Sequence, residues 1–191
     1  MDRSPKAYTL GSLIELESCI TLKHSKCWNA SSKLSTKREL GVGLGQLTKA
    51  YTNTGAIRFD ALAEIRQKHP RELHELSWKN IEKRPDLQIK AVILKVRDNY
   101  KYFRNTSTTV ENALYFADAG YNGGNAGVVK EQRACKLSPG CDPFKWFGHV
   151  ELYCMKSRVV LYGNRSACDI NRHHVQEVFL VRANKYRKFW Y

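Results

Sequence analysis

Leu10, Leu13, Ile14 and Ile20 recur at a period near 3.6, which predicts an amphipathic helix over residues 8 to 22. The next stretch, 23 to 45, is polar, holds Ser31-Ser32, Ser35-Thr36 and Gly41, Gly43 and Gly45, and reads as a long loop. Short helices are expected at 46 to 53 and 57 to 68. From Asp86 to Phe103 the run Leu-Gln-Ile-Lys-Ala-Val-Ile-Leu-Lys-Val is apolar on most sides, and with Pro85 just ahead it predicts a central buried helix. Thr108 and Glu111 have capping-box spacing for a helix running to about Gly120. Tyr121-Asn-Gly-Gly124 breaks it, and a further helix is expected from Asn125 to Cys135. Residues 136 to 170 should be mostly loop, with a strand pair somewhere in 151 to 162, before a last helix over 171 to 189. No repeat, linker or change of composition divides the chain. The expectation is one mostly α domain over residues 1–191 with at most a small β element.

Composition narrows the classes. Apolar residues are 42% and charged residues 26%, an ordinary globular balance. No apolar run approaches the ~20 residues of a membrane-spanning helix. Met1 to Lys6 has no apolar segment behind it, so synthesis without a secretory signal is expected. Thirty-two Lys and Arg against 18 Asp and Glu give +14, a surface suited to nucleic acid, anionic lipid or an acidic cell wall. No helix-turn-helix, zinc or RNA-recognition signature accompanies the ten Tyr and four Trp, so no specific nucleic acid is expected. The six cysteines, at 19, 27, 135, 141, 154 and 168, fit no structural zinc spacing. They are either free thiols in a cytosol or become paired in an oxidising compartment, where Cys135 and Cys141 are the natural local pair.

Candidate chemistry lies in three segments. Glu17 is seven residues beyond Leu10, four beyond Leu13 and three beyond Ile14, so it sits on the apolar stripe of the first helix. Glu15 points away and is expected in solvent. A carboxyl on a core-facing stripe is costly unless it is paired with one of the many cations, neutral, or lining a cleft. In the last case desolvation raises its pKa and suits it to general-acid work. Gly41-Val-Gly-Leu-Gly-Gln-Leu-Thr48 is neither a dinucleotide fingerprint nor a P-loop. It offers close backbone approach to a ligand and the amide of Gln46. Ala117-Asp-Ala-Gly-Tyr-Asn-Gly-Gly124 is either a plain helix cap or a polar tip lining a sugar cleft.

Together these segments resemble the lytic transglycosylase family of the lysozyme superfamily. Its marks are Glu-Ser at a helix end, a Gly-x-x-Gln-Leu/Ile turn and a downstream Ala-x-Tyr-Asn-x-Gly segment. Here Glu17-Ser18, Gly43-Leu-Gly-Gln-Leu47 and Ala119-Gly-Tyr-Asn-Gly-Gly124 stand in that order. The 29 residues from Glu17 to Gln46 exceed the usual spacing, and the insert carrying Cys27 and Trp28 has no assigned role. The resemblance, closest to a bacteriophage endolysin, implies a lysozyme-like fold and a monomeric enzyme needing no metal or cofactor. Its partner would be bacterial peptidoglycan, reached in the periplasm or cell wall after release from the host cytoplasm. Glu17 would be the catalytic acid/base, with Ser18, Gln46, Tyr121, Asn122 and Gly123 binding substrate. The rival is a hydrolytic muramidase, for which Glu39, Asp60 and Asp118 are candidate second carboxylates, each expected to be a solvated surface charge. The last helix carries Val175, Val178, Phe179, Tyr186 and Phe189 on one face with Arg182, Lys185, Arg187 and Lys188 beside it. It is either a core-packing helix or a segment that engages anionic outer-membrane or cell-wall polymers.

Overall fold

The computed structural model describes residues 7–19 and 27–188. It is mostly α, with a small four-stranded sheet and a two-stranded one. Two compact units emerge, one of residues 10–95 (the sheet unit) and one of residues 1–9 with 96–191 (the helical unit). Their boundaries fall inside helices α1 (Ala7–Ser18) and α4 (Pro85–Phe103). No linker marks them, which is why composition does not reveal them. Among the described residues no helix is long and apolar enough to cross a membrane.

In the sheet unit, α1 is followed by four antiparallel strands in sequence order: β1 (Lys33–Ser35), β2 (Glu39–Val42), β3 (Leu47–Tyr51) and β4 (Ile57–Asp60). Strands β1 and β2 therefore lie within the loop expected over 23 to 45, of which 23 to 26 fall outside the described residues, and the helix expected over 46 to 53 is largely strand β3. Leu34 pairs with Gly41, Gly41 with Thr48, and Ala50 with Phe59. The expected helix over 57 to 68 divides at Asp60, whose carboxylate caps α2 (Ala61–Lys68) by accepting the Ala63 N–H at 2.9 Å. One face of the sheet supplies Val42 and Leu47 to a core completed by Leu62 and Ile65 of α2, Leu73 of α3 (Pro70–Leu73) and Leu87, Ala91 and Leu94 of α4. Ile57 and Phe59 on the edge strand β4 stay exposed.

The helical unit is built around α5 (Val110–Gly123). Leu114, Phe116, Ala117, Ala119 and Tyr121 are all buried, so α5 is more completely enclosed than α4, which leaves Ile93 at the surface. Small residues at 113, 117, 119 and 120 let neighbours close in on it. Its N-cap is Thr109, accepting the Asn112 N–H at 3.1 Å, one residue beyond the capping-box register. Thr108 instead donates its backbone N–H to the Phe144 carbonyl at 3.1 Å. Phe103, Phe116 and Trp146 form an aromatic chain with centroids 5.8 and 5.6 Å apart.

After α6 (Asn125–Lys136) comes the expected irregular stretch. It is held by a buried charge cluster: Glu131 is fully enclosed and accepts from Lys156 Nζ at 2.8 Å, Arg172 Nη1 at 2.9 Å and the Met155 N–H at 3.2 Å. The Arg172 guanidinium also lies 4.9 Å over the Trp146 ring. The strand pair, β5 (Val160–Tyr162) with β6 (Arg165–Ser166), lies later than 151 to 162 predicts. A capping box between Ser166 and Asp169 opens α7 (Ala167–Gln176), and a π-helical turn over Glu177–Arg182 leads into α8 (Ala183–Arg187). The apolar face of this last helical run, Val175, Val178, Phe179 and Ala183, is core. Phe189, like Ile20, lies outside the described residues.

All six cysteines are paired: Cys19–Cys27, Cys135–Cys141 and Cys154–Cys168, with Cα separations of 4.7, 5.3 and 6.0 Å. These separations suit disulfides without backbone distortion. The anticipated local pair at 135 and 141 is one of three.

Candidate active site

The sheet unit holds two of the three sequence motifs and joins them. Glu17 is on the last turn of α1, partly exposed. Ser18 ends that helix, buried, with its hydroxyl donating to the Ile14 carbonyl at 2.6 Å and accepting the Trp28 N–H at 2.8 Å. The Ser18 carbonyl in turn accepts from the Ser32 hydroxyl at 3.1 Å. The Ser32 carbonyl receives the Gly43 N–H at 2.7 Å and Gln46 Nε2 at 3.1 Å. A path of side-chain and backbone hydrogen bonds thus runs from the Glu17-Ser18 helix end to the glycine-glutamine segment.

That segment closes the β2–β3 hairpin and does not lead into a helix. Val42 faces Leu47 across the ladder and residues 43–46 form the tip. Gly43 takes φ +84°, where a side chain is disfavoured, and Gln46 takes φ +42°. Gln46 is buried; its Nε2 also donates to the Gly43 carbonyl at 3.0 Å, while its Oε1 has no hydrogen bond. This oxygen lies 2.7 Å from where a Cβ on Gly41 would be, so only glycine leaves room for the amide.

Gln88, on α4, holds the hairpin tip from below. It is 1% exposed, accepts the Leu44 N–H at 2.7 Å, and donates Nε2 to the Ala30 carbonyl at 2.9 Å and to the Ile81 carbonyl. Its Oε1 lies 2.3 Å from the position of a Cβ on Gly43, a second reason for glycine there. Sequence reasoning missed Gln88, since a lone amide in an apolar helix carries no local signal. It also missed Ser32.

Glu15 corrects a sequence expectation. It is buried at 7% exposure, whereas Glu17 is the more open of the two carboxylates. Ser12, Leu13, Ile14 and Glu15 are consecutive and all buried, so α1 is enclosed on more than one face and a one-face stripe does not rank its residues. The Glu15 carboxylate lies within 4.8 Å of the Cys19 and Cys27 sulfurs, but those sulfurs are bonded to each other and are not available as thiolate ligands. Glu17 has a charge interaction with Lys95 of α4. Burial pushes the Lys95 ammonium below the usual lysine range, and Glu17 and Glu64 act in the opposite direction.

The third motif belongs to the helical unit. Tyr121 is buried, and Asn122 and Gly123 are exposed at the end of α5. The Asn122 side-chain oxygen accepts from Asn171 Nδ2 at 3.1 Å, which also donates to the Ala119 carbonyl at 2.9 Å. A Cβ on Gly123 would lie 2.3 Å from the Lys156 side chain, so glycine is needed there for packing. A cavity of about 180 Å³ in this unit, lined in part by Tyr100, Arg104, Asn105 and Thr109, contains none of the motif residues.

Two of the candidate second carboxylates are not solvated charges. Asp60 caps α2, accepts from Trp78 Nε1 at 3.0 Å and pairs with Lys49 at 3.5 Å. Asp118 is 2% exposed and bonds His174 Nδ1 at 2.8 Å. Glu39 remains partly exposed on β2. No protein family, curated protein or solved structure matches the chain.

Proposed function

We propose that the chain cleaves the glycan strands of bacterial peptidoglycan as a lytic transglycosylase, with Glu17 as its acid/base. The observation carrying this reading is the path from Ser18 through Ser32 to Gln46, which couples a carboxylate-bearing helix end to a glycine-glutamine hairpin. Cleaving a glycosidic bond requires a carboxyl group held against the bridging oxygen, because proton transfer is effective only at hydrogen-bond range. Fixing Ser18 on both sides of its hydroxyl fixes the last turn of α1, and Glu17 with it.

In the proposed reaction the Glu17 carboxyl protonates the oxygen between N-acetylmuramic acid and N-acetylglucosamine, and the C1–O bond breaks. The muramic acid C6 hydroxyl then bonds to C1 and returns its proton to the Glu17 carboxylate, leaving a 1,6-anhydro end. No water is consumed, so no second carboxylate is needed, in contrast to the paired acids of most glycosidases. A nucleophile on the substrate itself brings an orientation advantage of about 7–11 kcal/mol in favourable cases. In this reading Ser18 and Gln46 are positioning residues. Hydrolysis is the less favoured route because Asp60 and Asp118 already serve a helix cap and a buried hydrogen bond to His174.

The basic surface, +14 overall, supports approach to an anionic wall or outer-membrane polymer. Three cysteine pairs suit an oxidising site of action after release from the cytoplasm. The decisive experiment is mass analysis of fragments from purified peptidoglycan, with Glu17→Gln and Glu15→Gln in parallel. The wild type and Glu15→Gln should release anhydro-ended fragments, and Glu17→Gln none. Half of wild-type turnover in Glu17→Gln would overturn the role of Glu17, and hydrated ends alone would assign hydrolysis.

A further inference from the structure

Only two non-glycine residues among those described have positive φ, Trp28 at +67° and Gln46 at +42°. Both belong to the hydrogen-bonded patch around Ser18 and Ser32. A bulky residue in the left-handed region is a backbone outlier that surrounding contacts must hold in place, and such outliers concentrate at functional sites.

Several contacts anchor the Trp28 backbone. Its N–H is bonded to Ser18 Oγ at 2.8 Å, one residue from Glu17. Its neighbour Cys27 is bonded to Cys19, the residue after Ser18. Two residues on, the Ala30 carbonyl accepts from the buried Gln88, and Ser32 is tied to both Ser18 and Gln46. Despite this anchoring, Trp28 is 44% exposed. A rigid backbone that keeps a large apolar ring partly in water does little for the core.

We propose that Trp28 is a stacking platform for a pyranose ring of the glycan strand, fixing the substrate in register with Glu17. This rests on the glycan-cleaving reading above. A sugar ring has an apolar C–H face and polar edges, and a rigid indole offers a matching flat apolar surface at little cost in side-chain entropy. The Cys19–Cys27 bridge and the Ser18–Trp28 bond then act as one clamp, setting ring and carboxylate from the same helix end. The insert that lengthens the spacing between Glu17 and Gln46 acquires a role in substrate register.

The test is kinetic, on soluble uncrosslinked glycan strands, with the full-length oxidised chain carrying Trp28→Gly or Trp28→Tyr. Glycine accepts the positive φ, so Trp28→Gly should melt no lower than wild type. Its KM should nevertheless rise about tenfold, equivalent to about 1.4 kcal/mol, with kcat within about threefold. Trp28→Tyr keeps a flat ring and should hold KM within about threefold. An unchanged KM in Trp28→Gly overturns the proposal, as does an equal loss in both variants together with a lower melting temperature. If wild type releases no glycan fragments, the parent reading itself fails; if it does and Trp28→Gly matches it, only the platform falls.

Discussion

Replacing Gln88 with Met isolates the energetic role of the amide under the hairpin, because the two side chains differ little in volume. The substitution removes one bond each from the Leu44 N–H and the Ala30 and Ile81 carbonyls. The Ile81 carbonyl still accepts the Arg84 N–H at 3.2 Å, and Ala30 is partly open, but Leu44 is buried at 3% exposure, so water cannot replace the bond to its N–H. One unsatisfied buried polar group costs about 1–3 kcal/mol. Against a total stability of about 5–15 kcal/mol this is a large fraction. With a urea slope of about 2 kcal/mol per molar, the midpoint should fall by about 1 M. Gln88→Glu adds a second, signed expectation. At pH 7 its carboxylate accepts from Leu44 but faces two carbonyl oxygens it cannot serve, so it should be the less stable variant. Burial raises its folded pKa above the unfolded value of about 4.3. The deficit is therefore fully present above the folded pKa and shrinks as pH falls toward 4.3, where the neutral acid can donate one bond. Urea titrations followed by circular dichroism at pH 7 and pH 4.5 read both effects. A midpoint shift below about 0.3 M for Gln88→Met at unchanged slope would refute the reasoning.

Two other outcomes follow from named groups. Cys19→Ser with Cys27→Ser opens a loop with a sequence separation of 8, whose closure is worth about 2.5 kcal/mol on the chain-entropy estimate, and should lower the melting temperature by about 5–10 °C; a change under 2 °C would count against that anchor. The His173 imidazole is held below its usual range, first by burial and then by Arg165. The unfolded chain therefore takes up this proton first, so stability falls as pH drops from about 6.5 toward the depressed folded value, and His173→Gln should remove part of that loss in melting curves between pH 7 and 5.

Helical periodicity was readable wherever a segment was long. Residues 86 to 103 and 125 to 135 match α4 and α6 to within a residue at each end. The sheet was not readable, because its strands span only three to five residues and mix Gly, Thr and Lys with single apolar positions. Thr48-Lys49-Ala50-Tyr51 has no helical or strand period of its own, and its pairing with β2 and β4 decides its state. The segments around Glu17 and Gln46 are legible in the sequence, but the groups that connect them act through tertiary contacts. Ser32 reaches Ser18 across 14 residues, and Gln88 reaches Leu44 across 44. The reversal of Glu15 and Glu17 has the same origin, since burial of α1 depends on what covers it.

The three cysteine pairs join the cysteines consecutively along the chain, first to second, third to fourth and fifth to sixth. Of the 15 possible connectivities of six thiols, this is the one that links only consecutive cysteines. Each bridge therefore closes a short loop, at low entropic cost and without waiting for a distant part of the chain. Oxidation of the chain should then need little correction by thiol exchange.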